Sequence, residues 1–107
     1  MTGIALHHLL YYSEIVIKRF RHKGIERFFR KGDRTGIQSQ HLSRIERILA
    51  LLDEATTPEQ LNIPGMYLHA LKGARKGEWA MSVSGNWRVT FRFEGEDVIV
   101  VNLEDYH

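Results

Sequence analysis

Hydrophobic and polar positions along this chain change period twice. From Ile15 to Phe20 the run Ile-Val-Ile-Lys-Arg-Phe is rich in β-branched residues and predicts a short strand. Gly24 then opens a helical stretch in which Ile25, Phe28 and Phe29 share one face, with Gly32 as its stop. After a turn through Asp33 to Gly36, Leu42, Ile45, Ile48, Leu49 and Leu52 recur at three- and four-residue spacing. That stripe predicts a second helix from about Ser39 to Ala55, with Arg44 and Arg47 on its outer side.

Thr57-Pro58 and Ile63-Pro64-Gly65 bracket a connection, because proline does not continue a helix interior. The period then becomes two. Strands are predicted over Met66–Leu71, Glu78–Val83, Trp87–Phe93 and Val98–Leu103, with hairpin turns at Ser84-Gly85-Asn86 and Glu94-Gly95-Glu96-Asp97. In the third strand Trp87, Val89, Phe91 and Phe93 point one way, and Arg88, Thr90 and Arg92 the other. The expected fold is α+β, an N-terminal strand and two helices packed on one face of an antiparallel sheet of about four to five strands. The other face is then free, and Arg88 sits on it. No repeat or linker divides the chain, so residues 1–107 form a single domain, as their number also implies.

Composition narrows the function classes. An apolar share of 43% against 26% charged excludes wholesale disorder. The absence of cysteine removes disulfides, thiolate metal sites and thiol nucleophiles together, and is compatible with a reducing cytoplasm. No apolar run approaches the roughly 20 residues that span a bilayer. Met1–Tyr12 is apolar but lacks the basic start and small-residue cleavage site of a secretion signal. The net charge of +2 conceals a gradient: ten cations face three acids between Lys18 and Arg47, whereas six acids face Arg88 and Arg92 from Glu78 onward. A basic half of this kind suits a polyanion such as RNA or an acidic partner, and equally a solvated helix surface.

Three places hold groups suited to phosphate chemistry. His69 and Lys72 lie around a strand end, followed by Gly73, Arg75, Lys76 and Gly77; Asn86 and Arg88 follow a turn; and Glu104-Asp105-Tyr106-His107 closes the chain. Metal-free ribonuclease chemistry needs a base for the ribose 2′-OH, cations for the phosphorane-like transition state and an acid for the departing 5′-oxygen. Histidine suits either proton transfer, arginine and lysine supply the cations, and an aromatic face holds an unstacked base. His69, Lys72, Arg88, Tyr106 and His107 contain every part required. Each also has a structural reading: a histidine beside a strand is commonly structural, Lys72, Arg75 and Lys76 suit a solvated turn, and chain ends such as His107 fray. No metal site is expected, since the six histidines, His7-His8 included, show no HExxH or i, i+4 pair. No P-loop, dinucleotide fingerprint or GxSxG elbow is present, and no cofactor is expected.

Several motifs in order resemble one family. Ile17-Lys18-Arg19-Phe20-Arg21-His22-Lys23-Gly24 with Phe28-Phe29 and Gly32 is similar to the N-terminal half of HigB toxins, of the RelE/ParE superfamily. Leu68-His69-Ala70-Leu71-Lys72-Gly73, Gly85-Asn86-Trp87-Arg88-Val89-Thr90-Phe91 and Glu104-Asp105-Tyr106-His107 are similar to the second half. The resemblance implies a RelE-like fold, ribosome-dependent cleavage of mRNA in the decoding site, and neutralisation in the bacterial cytoplasm by a HigA-like helix-turn-helix antitoxin. DNA is then contacted only through the antitoxin, and no membrane is involved. The resemblance also implies that Lys72 and Arg88 clamp the scissile phosphate, His69 and His107 handle protons, and Tyr106 and Asp105 position the nucleotide. Arg75, Lys76 and Asn86, with Lys18, Arg21 and Lys23 of the basic stretch, are the expected further RNA contacts, ribosomal RNA included. Paired histidines predict a bell-shaped rate profile. Family members begin near Val16, so residues 1–15 form an N-terminal extension. They are either the product of an upstream-placed start, with a GUG codon at Val16, or a helix built on Ile4, Leu6, Leu9, Leu10 and Tyr12. A ParE-like poison of DNA gyrase on the same fold is the alternative function, and a degenerate toxin kept for antitoxin binding a third.

Overall fold

The computed structural model describes residues 17–105. The expectations for residues 1–15, and for Tyr106 and His107, fall outside those residues. Helix α1 spans Lys23–Lys31. His22 caps it, its ring Nδ1 accepting from the Ile25 amide at 3.0 Å, which satisfies one of the orphan donors of the first turn. Gly32 ends it at φ 72°, a left-handed conformation open to glycine, and so brings its own N–H to the Phe28 carbonyl. Glu26 in the first turn and Arg30 and Lys31 in the last match the helix dipole.

A 3-10 turn over Ser39–His41 leads into α2, Leu42–Glu54. Its stripe of Ile45, Ile48, Leu49 and Leu52 is buried, as the spacing predicts. Each such side chain contributes about 1.5–3 kcal/mol of burial. Arg44 departs from the expected outer position. Its Nε donates to the Ser82 carbonyl at 3.0 Å and its Nη2 to the Gly65 carbonyl. The long side chain reaches round the edge of the helix and ties it to the sheet and the preceding connection.

The sheet is antiparallel in the order β1-β2-β3-β4, with β1 His69–Ala70, β2 Glu78–Ser84, β3 Trp87–Glu94 and β4 Asp97–Asp105. The strand expected over Met66–Leu71 shrinks to two residues, because Tyr67 turns to φ 55° and breaks the extended run. The N-terminal strand is reduced, within the described residues, to two parallel bridges beside β4, Ile17 to Val98 and Phe20 to Val101. Main-chain bonds from Lys18 N–H to the Val98 carbonyl (2.8 Å) and Arg21 N–H to the Val101 carbonyl (2.7 Å) hold it there.

Ile17, Ile25, Ile45, Ile48, Leu52, Met81, Val89, Phe91, Val98 and Val101 form one core between the helices and the apolar sheet face. A bulge in β4 sets which residues join it. Arg92 pairs with Ile99 but Thr90 pairs with Asn102, leaving Val100 and Val101 opposite Phe91, with Val100 at φ 49°. The extra residue shifts the alternation by one. Val98, Val101 and Leu103 therefore face the core, while Asn102 and Glu104 emerge on the other face beside Thr90 and Arg88. Among the described residues no helix is long and apolar enough to cross a membrane.

Candidate active site

The second sheet face carries two rows of cross-strand neighbours: His69–Ala80–Thr90–Asn102 and Ser82–Arg88–Glu104. Residues directly opposite in an antiparallel ladder lie on one face. His69 and Arg88, expected to share the site, are thus on the same face in adjacent rows. Ala80 and Thr90 at its centre are buried, so this face is not the bare surface that strand alternation implies.

His69 is exposed, with its Nδ1 3.0 Å from the Tyr67 carbonyl oxygen. A carbonyl only accepts, so Nδ1 is the donor in this contact, and Nε2 is the ring nitrogen that the contact leaves unengaged. Tyr67 itself is 71% exposed. A non-glycine residue at positive φ is uncommon and strained.

Lys72 is exposed and precedes the 3-10 turn Gly73–Arg75. It lines an open, apolar-walled depression of about 380 Å³ with Ala70, Leu71, Lys76, Gly77 and Trp79. His69 and Arg88 lie outside that depression. Arg88 donates from Nη1 to the carbonyls of Gly85 (2.7 Å) and Trp87 (3.0 Å), and its Nε is buried without a hydrogen-bond partner among the described residues. None of the ion pairs among those residues gives Arg88 a carboxylate.

Arg75, expected as an RNA contact, is engaged within the protein. Its guanidinium donates to both Glu104 oxygens, at 2.8 and 2.6 Å, and to Glu78 Oε1 at 2.7 Å. Thr90 Oγ1 donates to Glu104 Oε2 at 2.6 Å, and Asn102 Nδ2 approaches the same oxygen at 3.4 Å. The hydrogen bonds from Arg75, against the opposing effect of burial, draw the Glu104 carboxyl down to about 2, and the two carboxylates raise Arg75 above its ordinary value. This network crosses the sheet from the Lys72 turn to β4. Glu78 and Thr90 lie outside the set of site residues read from the sequence, and Glu104 enters it only as part of the terminal run Glu104–His107, with no ion-pair role assigned.

Lys76 stands beside Lys72, and Asn86 in the turn before Arg88. Asp105 ends β4 opposite Trp87, on the other side of the strand from Glu104. Lys18, Arg21 and Lys23 are exposed but lie on or next to the segment bordering β4, at the opposite sheet edge from His69. They form a separate basic area with α1, where Lys23, Arg27, Arg30 and Lys31 surround a groove of about 320 Å³ that includes Glu26. Among the described residues no three His, Asp or Glu side chains gather as a metal-binding set.

Residues 18–107 match the family described as RelE-like toxin of type II toxin-antitoxin system HigB. The chain belongs to the HigB toxin family. The Endoribonuclease HigB of Proteus vulgaris is 44% identical over 92 residues, which cover 86% of this chain and the whole of that relative. The two helices on an open antiparallel sheet are those of a RelE-like α+β fold, and membership of a type II HigB family implies an antitoxin partner. The matched span contains every candidate residue named above.

Proposed function

We propose that this HigB-family toxin is a ribosome-dependent endoribonuclease that cuts mRNA in the decoding site. The 2′-oxygen attacks the adjacent phosphorus, a P–O2′ bond forms, and the P–O5′ bond breaks to leave a 2′,3′-cyclic phosphate and a 5′-hydroxyl. Lys72 and Arg88 hold the scissile phosphate and its developing charge. His69 and His107 carry the two proton transfers, and Tyr106 and Asp105 orient the nucleotide. The observation that supports this most is the sharing of one sheet face by His69, whose Nε2 is not engaged by the Tyr67 contact, and Arg88, with no carboxylate partner among the described residues. The name of the Proteus vulgaris relative supports the same activity. Lys18, Arg21 and Lys23 meet ribosomal RNA phosphates. A HigA-like antitoxin with a DNA-binding helix-turn-helix neutralises the toxin in the bacterial cytoplasm.

Primer extension on a defined mRNA, with and without programmed ribosomes, tests this. Cuts confined to the ribosome-bound codon are expected, and Arg88→Ala and Lys72→Ala should abolish them while the variants remain folded and antitoxin-binding. Cuts on bare RNA would remove ribosome dependence. Intact mRNA with an SOS response in cells would instead favour a ParE-like gyrase poison.

A further inference from the structure

Arg88 and Glu104 are direct cross-strand partners of opposite charge on one sheet face. Such partners have Cα atoms about 4.5–5.5 Å apart and ordinarily pair. Here they do not. Glu104 gives both oxygens to Arg75, which arrives from beyond β1 and is itself steadied by Glu78. We propose that Arg75 is a positioning residue that sequesters Glu104 and so keeps Arg88 uncompensated and free to take a phosphate. The inference rests on the reading of Arg88 as the phosphate clamp.

Three features carry it. A two-pronged guanidinium–carboxylate pair is stronger than hydrogen bonds from neutral donors, so Thr90 and Asn102 alone do not hold Glu104 against a neighbouring cation. Arg75, Glu78 and Glu104 together carry one excess negative charge, which makes Arg88 the natural counter-ion once Arg75 is neutralised. The bulge at Val100 is what brings Glu104 onto the Arg88 face. A toxin that places a carboxylate opposite its phosphate-binding arginine therefore needs a second arginine to occupy that carboxylate.

The test compares single-turnover cleavage by the full chain on programmed ribosomes for wild type, Arg88→Ala, Arg75→Gln, Arg75→Lys and the double variant Arg75→Gln/Glu104→Gln. Arg75→Gln should lose at least about tenfold in rate, a part of the roughly 10² to 10³-fold that one such stabilising group supplies. The double variant should recover most of that loss, because the neutral amide no longer quenches Arg88, and Arg75→Lys should lie between. The Arg88 guanidinium NMR resonances should move in Arg75→Gln and return in the double variant, a readout that does not depend on activity. A strut that merely fixes the Lys72 turn would be lost in both variants, so failure of the double variant to recover would overturn the proposal. So would unmoved Arg88 resonances, or an Arg75→Gln rate equal to wild type while Arg88→Ala is inactive. Full activity in Arg88→Ala would overturn the phosphate-clamp reading and the proposal with it.

Discussion

Replacing Gly24 by alanine sets two opposed effects against each other, and the structure decides between them. Alanine is favoured over glycine within a helix by up to about 1 kcal/mol, and less in a first turn. Gly24 is not held at positive φ, so backbone conformation raises no objection. The objection is space. A Cβ at position 24 would lie 2.6 Å from the Gly36 carbonyl oxygen and 2.9 Å from Cε1 of His22, whereas ordinary contact begins near 3.4 Å. The two backbones must part by about 0.8 Å in a close-packed region, and overpacking of this kind costs about 1–3 kcal/mol. Displacing His22 also endangers its cap on the Ile25 amide, worth about 1 kcal/mol. The net expectation is a loss of about 2 kcal/mol, a fall in Tm of about 10 °C for a chain of this size. Thermal melts followed by circular dichroism, with urea unfolding to check that the slope is unchanged, measure it. The reciprocal Gly36→Ala places a Cβ 2.6 Å from the Gly24 Cα. The first substitution already parts the segments, so the double variant should lose less than the two single losses added. A Gly24→Ala protein melting at or above the wild-type temperature would refute the reasoning.

Three further expectations follow from the same geometry. Glu104, ordinarily near 4.5 and held at about 2, contributes stability that is fully present above pH 4.5 and lost as pH falls from there through about 2. The displacement corresponds to about 3 kcal/mol, reduced by partial exposure to about 2 kcal/mol; Glu104→Gln should lose that amount at neutral pH and flatten the acid limb of the stability curve. His22 is lowered from 6.5, chiefly by burial and then by Arg27, so its contribution is present above pH 6.5 and declines as pH drops below it; His22→Asn, another good cap, should remove that decline in melts between pH 7.5 and 5. Tyr67→Gly should relieve the positive φ of an exposed side chain and raise stability by about 1 kcal/mol in urea titration; an unchanged or lower midpoint would show that the Tyr67 side chain repays its strain.

Much of the architecture was legible because single elements report on themselves. The stripe from Leu42 to Leu52 and the alternation from Trp87 to Phe93 each encode their own buried face, and both hold. The register of β4 was not legible. Val98-Ile99-Val100-Val101 is uniformly apolar, so no alternation marks where the bulge falls, and only pairing with β3 fixes it. Helical spacing puts Arg44 on the outer side of its helix, and Arg75 is expected in a solvated turn or on RNA, yet each ends on acceptors distant in sequence. For the site, the chemistry-bearing residue types were recognisable along the chain. Which carboxylate neutralises which arginine was not, because that is settled by three strands meeting across the sheet.

The parallel bridges between the segment holding Ile17 and Phe20 and strand β4 also impose an order of events on synthesis. The paired positions are about eighty residues apart in sequence, the kind of non-local closure that forms late. At about 5–20 residues per second, that segment waits some 4–16 s on the ribosome before its partner strand exists. Strand β4 also delivers Glu104 to Arg75 and Thr90. The core edge and the charge network are consequently completed together, by the last strand of the sheet to be translated. A nascent chain therefore lacks an assembled sheet face for most of its own translation.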